Sequence, residues 1–306
     1  MPHTSRVRGI LRAIAITVIL GVVCRADAQQ TPPWQAAVDK AAQTVPNTRI
    51  LIVNIANGQL LATHRLAEAA RTLAAPGSTL KPLALYPLIA GYRWPPDRRI
   101  ACNRRLVIAG HRLYCPHPQA PPFDAREALA WSCNSYFAAV ARTLPPGALG
   151  RILRSTGLLD VTGLAPSEAA AEFREPRTRD ETQLALLGVA GIRVSPLELA
   201  TAYRWLALQM AHDPNSMATQ VVRAGLQDSA SFGMANEASL GGLTVEGKTG
   251  TAEDNTSART HGWFVGLAPA AHPQVVIAVF RPAGRGADAA HLAGQILAQA
   301  AHAEHR

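Results

Sequence analysis

Lysine is scarce in this 306-residue chain: of thirty basic residues only Lys40, Lys81 and Lys248 are lysines, and the rest are arginines. Each lysine is therefore informative, because an amine shifts its pKa readily on burial and a guanidinium does not. The arginines are scattered, so the net charge of +9, or +6 beyond the first 28 residues, describes general basicity suited to an anionic cell wall or membrane surface. It gives no nucleic-acid footprint. Long apolar runs are also lacking. The N-terminal run from Ala13 to Cys24 falls short of the about 17 to 25 residues that span a bilayer, and no later segment could cross one. Cysteine is sparse at four, with no Cys-x-x-Cys pair, and there is no internal repeat. What is plentiful is apolar side chain, 48% of the residues, enough for a large core.

The N-terminus has the three parts of an export signal: basic Arg6, Arg8 and Arg12, the apolar run, and the small-x-small site Ala26-Asp27-Ala28. Residues 1–28 are expected to be a cleaved signal peptide, leaving residues 29–306 as one exported domain, periplasmic or otherwise extracytoplasmic. Cys24 leaves with the signal. Of the remaining three cysteines, Cys102 and Cys115 bracket two short strands about Gly110, and the spacing predicts a disulfide across that hairpin. The rival arrangement is a metal site from Cys102, His111, Cys115 and His117.

In chain order, a helix is expected around Trp34 to Ala42, then a β-hairpin from Arg49–Ile55 and Leu60–Thr63 about a tight Asn57-Gly58 turn. A breaker pair, Pro76-Gly77, precedes a helical pattern that starts at Ser78. Alanine-rich helical patterns run over 126–144 and 148–156. Ser195-Pro196 opens the cleanest helix, to Met210, with a serine cap and proline at the first position. Strands follow near 243–250, 262–267 and 274–280, then a helix from Asp288, expected as its N-cap, to about Ala301. Strands at both ends with helices between them predict an α+β fold. One antiparallel sheet is built from about 32–74 and 240–306, and a helical part, about 75–239, is inserted between. Ligand clefts favour such junctions.

Three stretches carry chemistry. Ser78-x-x-Lys81 sets a hydroxyl and an amine one helical turn apart on one face, where the amine could activate the serine; by itself the pattern is equally an ordinary helix start. Ser132-Cys133-Asn134 interrupts an apolar run with polar groups that need partners if buried, or else caps a turn. Val245-Glu246-Gly247-Lys248-Thr249-Gly250-Thr251-Ala252-Glu253 reads as a strand whose glycines allow a close approach and whose edge suits an extended, carboxylate-bearing substrate.

Taken together, S-x-x-K, S-x-N and K-T-G resemble the motif set of penicillin-binding transpeptidases and serine β-lactamases. Ser132–Phe137, Ser195–Tyr203, Gly247–Glu253 and His261–Pro269 are similar to the transpeptidase domains of high-molecular-weight penicillin-binding proteins. The resemblance implies that Ser78 is acylated by a D-Ala-D-Ala peptidoglycan stem peptide or a β-lactam, with Lys81 as general base and Ser132 as proton relay. It implies that Asn134 holds the acyl amide, that Lys248, Thr249, Gly250 and Thr251 bind the carboxylate end, and that the N–H groups of Ser78 and Thr251 form the oxyanion hole. No metal or organic cofactor is implied, and membrane-proximal cell-wall proteins are the implied partners. Two departures stand out: fewer than fifty residues separate the signal from Ser78, where a pedestal or glycosyltransferase domain is usual, and Val189-Ala190-Gly191 stands where Gly-Gln-Gly is usual. They leave transpeptidase, D,D-carboxypeptidase, β-lactam sensor and β-lactamase as expectations beside a non-catalytic binding module. Against a class D β-lactamase stands Asn134, at a position where that class carries valine.

Overall fold

The computed structural model describes residues 33–91, 93–115, 117–240, 243–253 and 259–304. The expected signal peptide and Cys24 lie outside them. Among the described residues no helix is long and apolar enough to cross a membrane.

Helix α1 (Pro33–Ala42) buries a stripe of Ala37, Val38 and Ala41. Strands β1 (Arg49–Asn54) and β2 (Leu60–His64) form the expected hairpin. Its connection is a loop over 55–59 rather than a two-residue turn: Asn54 N–H donates to Gln59 O at 2.8 Å and Gly58 turns the chain at φ +77°. After helix α2 (Leu66–Arg71), a 3-10 turn at Gly77–Thr79 leads into helix α3 (Leu80–Ala90). Strands β3 (Arg105–Ile108) and β4 (His111–Tyr114) pair about Ala109 and Gly110, at φ +44° and +83°, as a two-residue hairpin requires.

The helical pattern of 126–144 is two helices, α4 (Ala125–Ala130) and α5 (Asn134–Arg142). Its apolar spacing runs on across Trp131–Cys133, but Ser132 sits at φ +55° and ends α4. Helix α6 (Ala148–Ser155) follows, then a ribbon of β5 (Glu172–Phe173) and β6 (Ile192–Arg193) with helix α7 (Arg179–Leu186) between its strands. Helix α8 (Pro196–His212) starts as predicted: Ser195 Oγ accepts from Glu198 N–H at 3.1 Å, Glu198 accepts from Ser195 N–H at 2.7 Å, and Pro196 opens the helix. Helix α9 (Met217–Ser231) crosses α4, with Gly225 against Leu129.

The chain closes with β7 (Glu246–Glu253), β8 (Thr260–Ala268), β9 (Val275–Arg281) and helix α10 (Gly286–Glu304). Asp288 is not the N-cap of α10. It lies inside the first turn, and its carboxylate accepts from Arg285 N–H at 2.7 Å. The five long strands form one antiparallel sheet ordered β2-β1-β9-β8-β7, so β1 from the first part of the chain pairs with β9 from the last, Arg49 opposite Phe280 through Asn54 opposite Val275. Side chains alternate between two cores. Leu51, Val53, Trp263, Val265, Ala278 and Phe280 pack with α3, α5 and α8. Ile50, Ile52, Phe264, Ile277 and Val279 pack with α1 and α10. Both faces of the sheet are therefore covered, which is why β1 and β9 read as nearly unbroken apolar runs. This is the α+β architecture expected, with β7 left as the free edge beside the inserted helices.

Candidate active site

Ser78 lies in the 3-10 turn rather than in the α-helix proper, and the three-residue period of that turn keeps it on the face of Lys81. The turn is pinned from several sides. Ala75 O accepts from Trp263 Nε1 at 2.9 Å, and His261 Nε2 lies 2.8 Å from the same oxygen. Tyr203 Oη, at the heart of α8, donates to Thr79 O at 2.9 Å. Gly77 N–H donates to Gly188 O at 3.0 Å. Gly77 is at φ +54°, and a side chain there would meet the Thr251 backbone; a Cβ on Gly250 would stand 2.6 Å from Pro76 O. These glycines let β7 lie directly against the Ser78 turn.

Behind that turn are two of the three lysines, both wholly buried. Lys81 Nζ donates to Asn134 Oδ1 at 2.7 Å, to Ser132 O at 2.8 Å and to Ser132 Oγ at 3.2 Å. Lys248 Nζ donates to Ser132 Oγ and to Thr249 O, each at 3.0 Å. The two amines thus converge on one hydroxyl, and among the described residues neither has a carboxylate partner. Burial lowers the Lys81 pKa from 10.5 to about 8, against an upward pull from Cys115, Cys133 and Cys102. Lys248 is pushed well below the usual amine range, first by burial and then by the Lys81 charge. With both lone pairs of Ser132 Oγ taken by amines, its own proton remains available for donation.

The left-handed Ser132 starts the arrangement and Asn134 completes it. Asn134 opens α5, and while its carbonyl accepts from Lys81, its Nδ2 donates to Tyr114 O at 3.0 Å. Ser78, Asn134 and Thr251 line a cleft of about 500 Å³ whose other walls are the β3–β4 hairpin from Gly110 to Tyr114, Leu187 and Val189, and the end of β7 at Ala252 and Glu253. Lys81, Ser132 and Lys248 lie behind this surface. Thr249 is also buried, its hydroxyl donating to Met234 O at 3.2 Å, and Thr251 Oγ1 accepts from Gly286 N–H at 2.9 Å. The spacing in the sequence therefore brings all three motifs to one cleft, with Thr251 rather than Lys248 at its wall.

The expected disulfide is not formed: Cys102 and Cys115 are free thiols, as is Cys133. Cys115 Sγ lies within 4.8 Å of the sulfurs of both Cys102 and Cys133 and accepts from Asn134 N–H at 3.2 Å. His111 is exposed on β4 and faces the cleft, so it does not join these sulfurs. Two contributors to the site carry no signal that spacing could find. The hairpin wall is brought in only by the fold, and Gly188, at φ +68°, holds the Ser78 turn from a loop whose one cue is glycine before the α8 cap.

A family model described as penicillin binding protein transpeptidase domain matches residues 48–302. Among solved structures, the chain is similar to a peptidoglycan glycosyltransferase from Burkholderia ambifaria, at 22% identity and TM-score 0.76 over 89% of this chain and 95% of that one. It is similar to the TP domain of penicillin-binding protein 3 from Burkholderia pseudomallei, at 20% identity and TM-score 0.77 over 89% and 93%. The penicillin-binding protein of Helicobacter pylori solved in complex with MreC matches at 18% identity and TM-score 0.76, over 89% of this chain and 62% of that one.

Proposed function

The chain belongs to the penicillin-binding protein transpeptidase domain family, and from that premise we propose that it is an exported serine acyltransferase acting on D-Ala-D-Ala stem peptides through an acyl-Ser78 intermediate. The observation that carries this reading is the pair of buried amines on Ser132 Oγ, behind a cleft lined by Ser78. Two lysines so close and so dry cannot both stay charged: Lys248 is lowered the further, and Lys81, lowered to about 8, can serve as a neutral base as pH rises past that value.

In this reading Lys81 is that base. Two of its contacts, to Asn134 and to the Ser132 carbonyl, use two N–H groups, and the neutral amine then has a lone pair for the Ser78 proton. Ser78 Oγ attacks the penultimate D-alanine carbonyl as Lys81 takes its proton. Charge on the carbonyl oxygen falls to the Ser78 and Thr251 N–H groups, each such donor being worth about 2.7 to 4 kcal/mol. Ser132 passes a proton to the departing amine, and the acyl group then moves to an amine acceptor or to water. Asn134 holds the acyl amide, and Lys248, Thr249 and Thr251 make the carboxylate end, where the free edge of β7 suits an extended peptide. A membrane-proximal cell-wall partner belongs to the same proposal.

The test is a time course of fluorescent penicillin labelling on the purified protein and on Ser78→Ala. Stable one-to-one label that disappears in the variant is the expected result. Label lost within seconds while penicillin is consumed in excess would make the protein a β-lactamase, and no label at all would leave a binding module.

A further inference from the structure

Outside the acylation machinery, four ligand-type side chains meet at one point. The Sγ atoms of Cys102, Cys115 and Cys133 and a ring nitrogen of His117 all lie within 4.8 Å of one another. They come from separate places: Cys102 precedes β3, Cys115 follows β4, His117 lies two residues on, and Cys133 stands between Ser132 and Asn134. His117 supplies the decisive detail. It is 1% exposed, and its Nδ1 lies 2.7 Å from Pro118 O, which fixes the proton on Nδ1 and leaves a lone pair on Nε2. That Nε2 is buried with no hydrogen-bond partner. A polar atom so placed costs about 1 to 3 kcal/mol unless something takes its lone pair.

The sulfurs are prepared in the same sense. Asn134 N–H donates to Cys115 Sγ at 3.2 Å and Arg104 N–H to Cys102 Sγ at 3.3 Å, contacts that stabilise sulfur as an electron-rich ligand. An imidazole whose far N–H is held by a backbone carbonyl is the usual partner of a metal. We propose that Cys102, Cys115, His117 and Cys133 bind one Zn²⁺ in a closed, structural site that fastens the cleft-lining hairpin to the turn carrying Ser132 and Asn134. Three sulfurs and one nitrogen form a tetrahedral donor set that favours zinc over oxygen-seeking cations. Tetrahedral Zn–S bonds of about 2.3 Å separate the sulfurs by about 3.8 Å, within the observed spread. The site leaves no open position, so the ion organises the cleft and takes no part in acyl transfer.

The test uses the full chain, purified without chelator. Elemental analysis should find about one zinc per chain that survives dialysis, and replacement by Co²⁺ should give the intense visible bands of a tetrahedral cobalt thiolate. Cys115→Ser and His117→Ala should lose the zinc, whereas His111→Ala should keep it. Iodoacetamide mapping should find the three thiols protected until a chelator is added. Wild-type protein with no zinc above trace, zinc lost on simple dialysis, or a Cys102–Cys115 disulfide peptide would each overturn the proposal, independently of whether any variant folds and of whether Ser78 is acylated.

Discussion

The chemistry of this protein rests on how few lysines it has and where they are. Among the described residues Lys81 and Lys248 share the Ser132 hydroxyl with no carboxylate to neutralise them, so burial is expressed as lost protons rather than as an ion pair. Lys81, lowered to about 8, is charged below that pH and neutral above it. If Lys81 is the base proposed above, acylation of Ser78 should quicken as pH rises through about 8, where the amine becomes neutral and can accept a proton. Lys81→Ala should slow penicillin labelling by about 10² to 10⁴-fold while circular dichroism stays native. Normal labelling of that variant, or a rate flat across the same pH range, would remove Lys81 from the mechanism. The three motifs were legible in the sequence as S-x-x-K, S-x-N and K-T-G, and the fold brings their residues together around one cleft. The burial of Lys248 and Thr249 was not, since it depends on β7 lying against the Ser78 turn.

At the scale of elements, what the sequence revealed were the pieces that carry their own punctuation. The Ser195 cap with Pro196 announced α8, and the breaker pair before Ser78 announced α3. The split of α4 from α5 was hidden because apolar periodicity continues through it, whereas Ser132 turns left-handed there, at φ +55°. Helix α9 was not among the expected elements; its Gly225 packs closely on α4, where a Cβ would stand 3.0 Å from Leu129. The disulfide expectation failed because Cys133 is remote in sequence from the hairpin and adjacent in space. Gly188 shows how strictly one loop position can be set. Its φ of +68° disfavours any side chain, and a Cβ would collide with the Gly77 backbone. Gly188→Ala should cost about 1 to 3 kcal/mol in a thermal melt and slow labelling as well, because the strain falls on the Ser78 turn. Unchanged melting and labelling would mean that the loop can move aside.

Across the whole molecule, the sheet separates two cores with different duties. The core with α3, α5 and α8 carries the cleft, while the one with α1 and α10 lies across the sheet from it. Ile296 of α10 is wholly buried in the second core. Ile296→Ala should lose about 2 to 5 kcal/mol of stability, yet the folded fraction should acylate at the wild-type rate; a slowed rate per folded molecule would show that the two cores are mechanically coupled. The same partition has a practical side. Since Lys81 and Lys248 are sealed inside and Lys40 sits exposed on α1, an amine-reactive dye or resin applied to the native protein meets a single lysine. Attachment at a pH well above the α-amino pKa would compete only between Lys40 and the chain's α-amino group, leave the buried amines untouched, and hold the molecule by the side of the sheet remote from the cleft.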